Sequence, residues 1–339
     1  MNNFIFGVVI YHDLVNKHVK LNGENMKKYN IIIIILFFIF TAYSLFNIKE
    51  TNFTSMQTLL TFSKTILPAL LPFLILNQLL IKLGIIDFLA YIFQYISYPL
   101  FKISGKGASI IILGILNGFP SSAIYTSLML MNKQIHKEEA QRLINFIFFP
   151  SISFLFAVLS ANINDNELFI RLVICLYLTS FTMLYISSFK TKEEVQLISF
   201  KQTIDNIKSK HNNLIFTKEI KEVISYSFNT LLNILGIIIL FSIPCNIIDN
   251  ISLNNMNSNL LKGILEFSMP SIKLSLMKVN KKRIVLYLST ILSFSSFSSI
   301  MQASLFINEA NLDTKQFIKN RILIAIITPI LLYLLLSFF

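Results

Sequence analysis

A chain of 339 residues that is 54% apolar and 14% charged, with a mean hydropathy of +0.67, carries more Ile, Leu and Phe than a soluble core of that length can hide. An ordinary water-soluble enzyme or binding domain is thereby excluded. The formal charge of +12 does not restore a nucleic-acid reading, because the lysines sit in short connections beside apolar runs, at Lys27/Lys28, Lys133/Lys137, Lys278/Lys281/Lys282/Arg283 and across 190–222, and no basic patch is interleaved with aromatics.

From the start of the chain, residues 1–27 are polar and mixed. They read as a cytoplasmic tail, or, for 1–25, as an upstream extension of the reading frame ahead of Met26-Lys27-Lys28-Tyr29. Residues 28–47 follow as an N-terminal transmembrane helix, uncleaved because Phe46-Asn47-Ile48-Lys49 offers no small-residue cleavage site. The runs Ile31 to Phe46, Ile66 to Leu80, Leu168 to Phe189 and Ile322 to Phe339 hold about 15–20 residues nearly free of charge, enough to cross ~30 Å of hydrocarbon as a helix. They lack the in-out alternation of barrel strands, so the expected fold is an all-α polytopic integral membrane protein with about 8–10 transmembrane segments.

Ten segments are expected, at 31–46, 57–81, 85–101, 107–131, 142–160, 167–189, 223–248, 258–276, 284–307 and 321–338. With both termini cytoplasmic, the basic connections 132–141, 190–222 and 277–283 all fall inside, while Asp165/Glu167 and the 249–257 stretch fall outside. The segment 85–101 is amphipathic and could lie in the interface, and 258–276 carries Lys262, Glu266 and Lys273. Arg142 and Arg321 open their segments, where snorkelling to headgroups is the ordinary behaviour and substrate binding the alternative. Cys175 and Cys245 lie in apolar segments as small buried hydrophobes, and the four histidines have no metal-ligand spacing. No phosphate-cradling glycine loop or nucleophile elbow is present, so neither catalytic residue, cofactor nor metal is expected.

Folded against itself, the chain repeats. Phe119-Pro120-Ser121-Ser122 resembles Phe297-Ser298-Ser299, Arg142 resembles Arg321, and Leu67 to Leu76 resembles Leu231 to Phe241. The single span 167–189 lies between, so the second repeat enters the membrane from the opposite side, as in the inverted repeats of secondary transporters with interrupted, hairpin-like helices.

Residues in 60–190, Leu67-Pro68, Pro72-Phe73-Leu74-Ile75-Leu76, Gly114-Ile115-Leu116-Asn117-Gly118-Phe119-Pro120-Ser121-Ser122-Ala123 and Glu138-Glu139-Ala140-Gln141-Arg142-Leu143, with Gly263-Ile264-Leu265-Glu266 and Ser293 to Gln302 later, resemble the nucleoside-recognition, or Gate, domain family of sporulation membrane proteins. The resemblance implies a first Gate-like repeat at 56–160, a connecting helix at 161–189, a charged cytoplasmic loop at 190–222 and a second repeat at 223–339. It also implies a multi-pass protein of the bacterial cell membrane, in the mother-cell or forespore envelope, needed for spore cortex formation. The family's polar pair after the arginine is replaced here by Phe148 and Phe149, and the later motif is serine-rich where glycines are common.

The residues expensive in lipid form the candidate site. Pro120 removes a helix hydrogen bond and Gly118 weakens the turn before it, so Asn117, Gly118, Pro120, Ser121 and Ser122 mark a broken helix whose exposed backbone can meet a polar ligand. Close packing of small residues is the competing explanation. Pro150 interrupts 142–160 in the same way, adding Ser151 and Ser153. Ser295, Ser298, Ser299 and Gln302 are the counterpart in the second repeat, where serines without Pro or Gly can instead bond back to their own helix. Glu266, an ionisable group within a span, is expected to share a polar cavity with Asn117, Ser121 and 295–299 unless Lys262 or Lys273 neutralises it.

Three function classes follow: a carrier of a small polar metabolite with a coupling ion, a non-transporting scaffold or sensor in a sporulation complex, and, weakest, an intramembrane enzyme. Expected partners are the lipid bilayer, such a metabolite, and a homo-oligomer or sporulation-complex partner; nucleic acid is not one. The orientation is checked by single cysteines at Asn206 and Asn164. An impermeant thiol reagent added outside is expected to label position 164 and spare 206, and the reverse result overturns it.

Overall fold

Four of the ten expected spans break near their middle, and these breaks organise the chain. The computed structural model describes residues 35, 38–191, 197–212, 216–249 and 254–338, so the tail 1–27 and the start of the first segment lie outside the described residues. The chain divides into two units, Met1–Thr54 and Ser55–Phe339. In the first, residues 38–54 are helical apart from a turn at Asn47. No strand occurs among the described residues.

Five described helices are long and apolar enough to cross a membrane: α1 (Ile48–Lys82), α7 (Asn166–Ser188), α9 (here Thr217–Asp249 of Phe216–Asp249), the interrupted Lys281–Glu309, and α14 (here Thr314–Ser337 of Thr314–Phe338). The polytopic helical architecture therefore holds. The number of unbroken spans is below 8–10 because the sequence-level hydropathy cannot register a backbone turn inside an apolar run. In α1 the ladder widens to a π-helical stretch at Phe62–Ile66, where Pro68 offers no N–H to the preceding turn. The long helices carry apolar groups outward as well as inward: α7 exposes Ile170, Ile174, Leu178 and Ile186, and buries Cys175, Thr179, Ser180 and Ser188 among Phe169, Leu172, Leu176 and Leu184. Large apolar groups outside and small or hydroxyl groups at helix contacts are what a lipid solvent selects.

α2 (Ile85–Phe101) buries Ile86, Ala90, Gln94, Ser97 and Phe101 at helical spacing and turns by 99° into α3 (Gly105–Asn117). α4 (Ser121–Met131) runs back along α3, since Ser109 meets Met129 and Gly114 meets Ser122. The expected segment 107–131 is thus an antiparallel helical hairpin. Its apex requires glycine: Gly118 has φ 66 and ψ −162, a region that residues with a Cβ avoid, and a Cβ there would stand 2.9 Å from Ser151 Cα. α5 (Lys137–Phe146) gives way to the non-helical stretch 147–151, and α6 (Ile152–Ile163) restarts with Ser151 capping Phe154 N–H at 3.1 Å. The expected breaks at Pro120 and Pro150 are both present.

The second half repeats the device without Pro or Gly at the break. α8 (Phe200–Asn212) is followed by α9, by α10 (Asn255–Leu265) and α11 (Ser268–Ser275) parted at Glu266–Phe267, and by α12 (Lys281–Phe294) and α13 (Ser296–Glu309) parted at Ser295. Ser295 and Ser296 both take positive φ, 77 and 65. This element order sets the apex 118–120 against Glu266–Phe267, and not against 297–299 as the sequence alignment has it; Phe297 lies within α13.

Neither Arg142 nor Arg321 snorkels. Arg142, 6% exposed, donates to the Phe101 carbonyl, to Lys102 O at 3.3 Å and to Ser187 Oγ at 3.0 Å, so it caps the C-terminus of α2. Arg321 on α14 is fully buried, donates to Asn145 O at 2.5 Å and to the Phe148 carbonyl, and lies 5.7 Å and 6.0 Å from the ring centroids of Phe148 and Phe317. Orphan carbonyls at the end of α5 lie inside the protein, out of reach of water, and the guanidinium fork supplies donors to two of them at once.

Two substitutions test these devices. Gly118→Ala is expected to fail to accumulate in the membrane, or to lower the unfolding midpoint in detergent sharply; wild-type behaviour would remove the steric argument. Arg321→Met strands the buried Asn145 carbonyl and leaves Phe148 O with the Ser295 hydroxyl alone, and is expected to cost about 1–3 kcal/mol, seen as a lowered midpoint that Arg321→Lys recovers only in part.

Candidate functional site

The four breaks converge. Phe119, next to the first apex glycine, donates its N–H to Phe149 O in the α5–α6 break at 3.0 Å. Its ring meets Phe267, from the α10–α11 break, edge-on at 4.7 Å and lies on Phe148 at 5.3 Å. Phe267 also meets Phe154 at 5.1 Å, and Phe148 meets Phe317 at 5.0 Å. Ser295, at the α12–α13 break, donates to Phe148 O at 3.3 Å. Phe148 and Phe149 fill the break with rings while their carbonyls carry its hydrogen bonds.

Around this aromatic centre the polar groups divide into satisfied and unsatisfied sets. Asn77 on α1 donates to Asn117 Oδ1 at 2.8 Å and to Leu116 O at 3.3 Å, which closes the end of α3. Asn117 Nδ2, Ser122 Oγ and, on α11, Ser271 Oγ are buried without a partner. Such groups normally find one, and each costs about 1–3 kcal/mol when left unmade. Ser122 stands two residues past Pro120 and Ser271 five residues past Glu266, so each half contributes an orphaned hydroxyl within the first turns beyond its break.

Glu266 is 3% exposed, and among the described residues no hydrogen bond joins it to Asn117 or Ser121. Its carboxylate accepts from Ser268 N–H at 2.9 Å, Ser268 Oγ at 2.6 Å and Met269 N–H at 3.0 Å, folding back onto the first turn of α11. A carboxylate at a helix N-terminus gains from free N–H groups and the helix dipole, and that local solution outcompetes a partner across the protein. Lys262 instead pairs with Asp249.

Of the other expected site residues, Ser151 serves as a helix cap and Ser153 is buried in α6. Ser298 and Ser299 bond to Ser296 at 2.9 and 3.4 Å, and Gln302 donates to Ser298 O at 3.1 Å, so the serine cluster largely satisfies itself. Gly118, Pro120 and Ser121 form the apex turn and the start of α4. Among the described residues no His, Cys, Asp and Glu side chains assemble a metal set. Sequence reasoning missed Asn77, Ser271 and the buried role of Arg321. An asparagine in an otherwise apolar run is also expensive in lipid, though less so than a carboxylate, and that signal was available for Asn77.

No protein-family model matches the chain, and no solved structure matches it. The nucleoside-recognition resemblance therefore rests on the quoted motif residues. Over nearly its whole length the chain is similar to the sporulation integral membrane protein YlbJ of Bacillus subtilis (strain 168), with 27% identity over 342 aligned residues that cover 92% of this chain and 84% of that protein.

Proposed function

We infer that the chain is an integral membrane carrier of a small polar metabolite used in spore cortex formation, and that the metabolite binds where the four breaks meet. The observation that carries this reading is the set of unpartnered buried groups beside the apices, Asn117 Nδ2, Ser122 Oγ and Ser271 Oγ. A polar solute held between the two halves gives each of them a partner, and buried orphans of this kind are costly enough to call for an explanation. The sporulation context is carried over from YlbJ.

The element order supports the same reading. Long helix, broken pair, broken pair, long helix occurs in 48–188 and again in 216–338, with α2 and α8 as additions. Counting the α5–α6 pair as a crossing beside the five long helices, and α2 with the hairpin as none, gives three crossings in each half, an odd number. The second half then enters from the other side, the inverted arrangement in which carriers place a site between repeats. A scaffold needs an arm for its partner, and the charged loop 190–222 is long enough to be one. Its described part is engaged on its own chain, with Gln94 and Ile198 exchanging bonds at 2.7 and 2.8 Å, Lys210 on Asp87, and Lys82 on Glu219 at 2.7 Å and Glu222 at 3.0 Å.

Removing an orphaned hydroxyl costs the fold little, so Ser122→Ala with Ser271→Ala separates binding from stability. The double variant is expected to accumulate normally with an unchanged or raised unfolding midpoint, yet to yield at least tenfold fewer heat-resistant spores in a sporulating host that depends on this chain. In vesicles loaded with a sporulating-cell extract, mass spectrometry is expected to find at least one small polar solute released by the wild-type chain and retained by the variant. Wild-type spore counts from the variant, with no solute released beyond empty vesicles, would leave the scaffold reading in its place.

A further inference from the structure

A separate cavity of about 770 Å³ lies at the other end of the first hairpin. α3 is 13 residues long, which puts the cavity about 20 Å from the apex. Its wall is formed by the base of the hairpin and the start of α5, with Lys106, Lys133, Lys137 and Glu139, and by the segment before and within α8, with Gln202 and Asn206.

We propose that this cavity is a binding site for a phosphorylated primary amine, either free or as a lipid headgroup, with the lysines holding the phosphate and Glu139 the ammonium. The two halves of the claim rest on different observations. Lys133 and Lys137 are exposed and form no ion pair among the described residues, while Lys106 stands 3.8 Å from Asp87. Three ammonium groups around one cavity concentrate positive charge that an anion neutralises, and lysine binds phosphate as a point charge without the fixed fork of arginine.

Glu139 supplies the second half. It is 2% exposed, its Oε1 accepts from Ser104 N–H at 2.7 Å, and its Oε2 is buried with no partner. A carboxylate oxygen shut away from water without a donor is costly, and burial holds this carboxyl above the ordinary carboxylate range, with the Ser104 bonds and then Arg142 opposing. A ligand ammonium set against Oε2 relieves both penalties. Inorganic phosphate alone would satisfy the lysines and leave Oε2 as it is.

The test uses the full chain purified in detergent and titrated with O-phosphoethanolamine, with inorganic phosphate and ethanolamine as the two half-ligands. Saturable binding of phosphoethanolamine is expected, with each half-ligand at least tenfold weaker. Lys133→Ala with Lys137→Ala, on exposed positions that the fold does not need, is expected to weaken binding at least tenfold, as is Glu139→Gln. In vesicles, loss of phosphoethanolamine binding with phosphatidylethanolamine but not with phosphatidylglycerol assigns the site to the lipid headgroup; equal binding in both assigns it to the free compound. The proposal is overturned if no saturable binding appears in detergent or either lipid, or if phosphate binds as tightly as phosphoethanolamine and the lysine pair can be removed without effect.

Discussion

A guanidinium sealed in a protein interior with no carboxylate beside it must find its compensation in dipoles, and in this chain Arg321 finds it in the free carbonyls at the end of α5. The dependence runs both ways. Without the arginine, the Asn145 carbonyl would have nothing to accept from and Phe148 O would lose its charged donor. Without the break, the arginine would have no acceptors. The rings of Phe148 and Phe317 complete the enclosure with their faces toward the charge. The meeting of the four breaks rests on this one exchange, since the same stretch also receives Phe119 N–H and the Ser295 hydroxyl.

Arg142 solves the same problem for α2, and Glu266 solves its mirror image at a helix start. In each case an ionisable residue that looks anomalous in an apolar run is answering the free backbone groups of an interrupted helix. A protein that breaks helices in a region without water must supply donors and acceptors from side chains. The charges within these segments are therefore partly structural, which moves the functional weight to small neutral groups left unpaired close to the breaks, among them Asn117, Ser122 and Ser271.

How much of this was legible in the sequence varies with how local the signal is. The membrane class was plain from composition, and the breaks at 118–120 and 150 from Gly118, Pro120 and Pro150, because those residues limit their own backbone. The break at Ser295 had no such signature: serine adopts positive φ there only because the tertiary structure holds it, and the serines were as compatible with a continuous helix. The correspondence between halves was misaligned by matching Phe-Ser strings, since the apex of the second half is built from Glu266 and Phe267 with no proline to mark it. The fate of Arg321 was illegible for a related reason. Its acceptors are 173 and 176 residues away in the chain, and no spacing rule connects them.

The Phe148 carbonyl carries two donors, the Ser295 hydroxyl from α12–α13 and the guanidinium of Arg321 from α14. An sp² oxygen has two lone pairs, so this acceptor is full. Ser295 and α14 lie in the second half of the chain and Phe148 in the first, so any motion that draws the halves apart at this level strips both lone pairs together. The contact thus ties one carbonyl of the first half to two separate elements of the second, and the Ser295 hydroxyl has its own helix carbonyl, Leu292 O at 3.4 Å, to turn to when that tie is released.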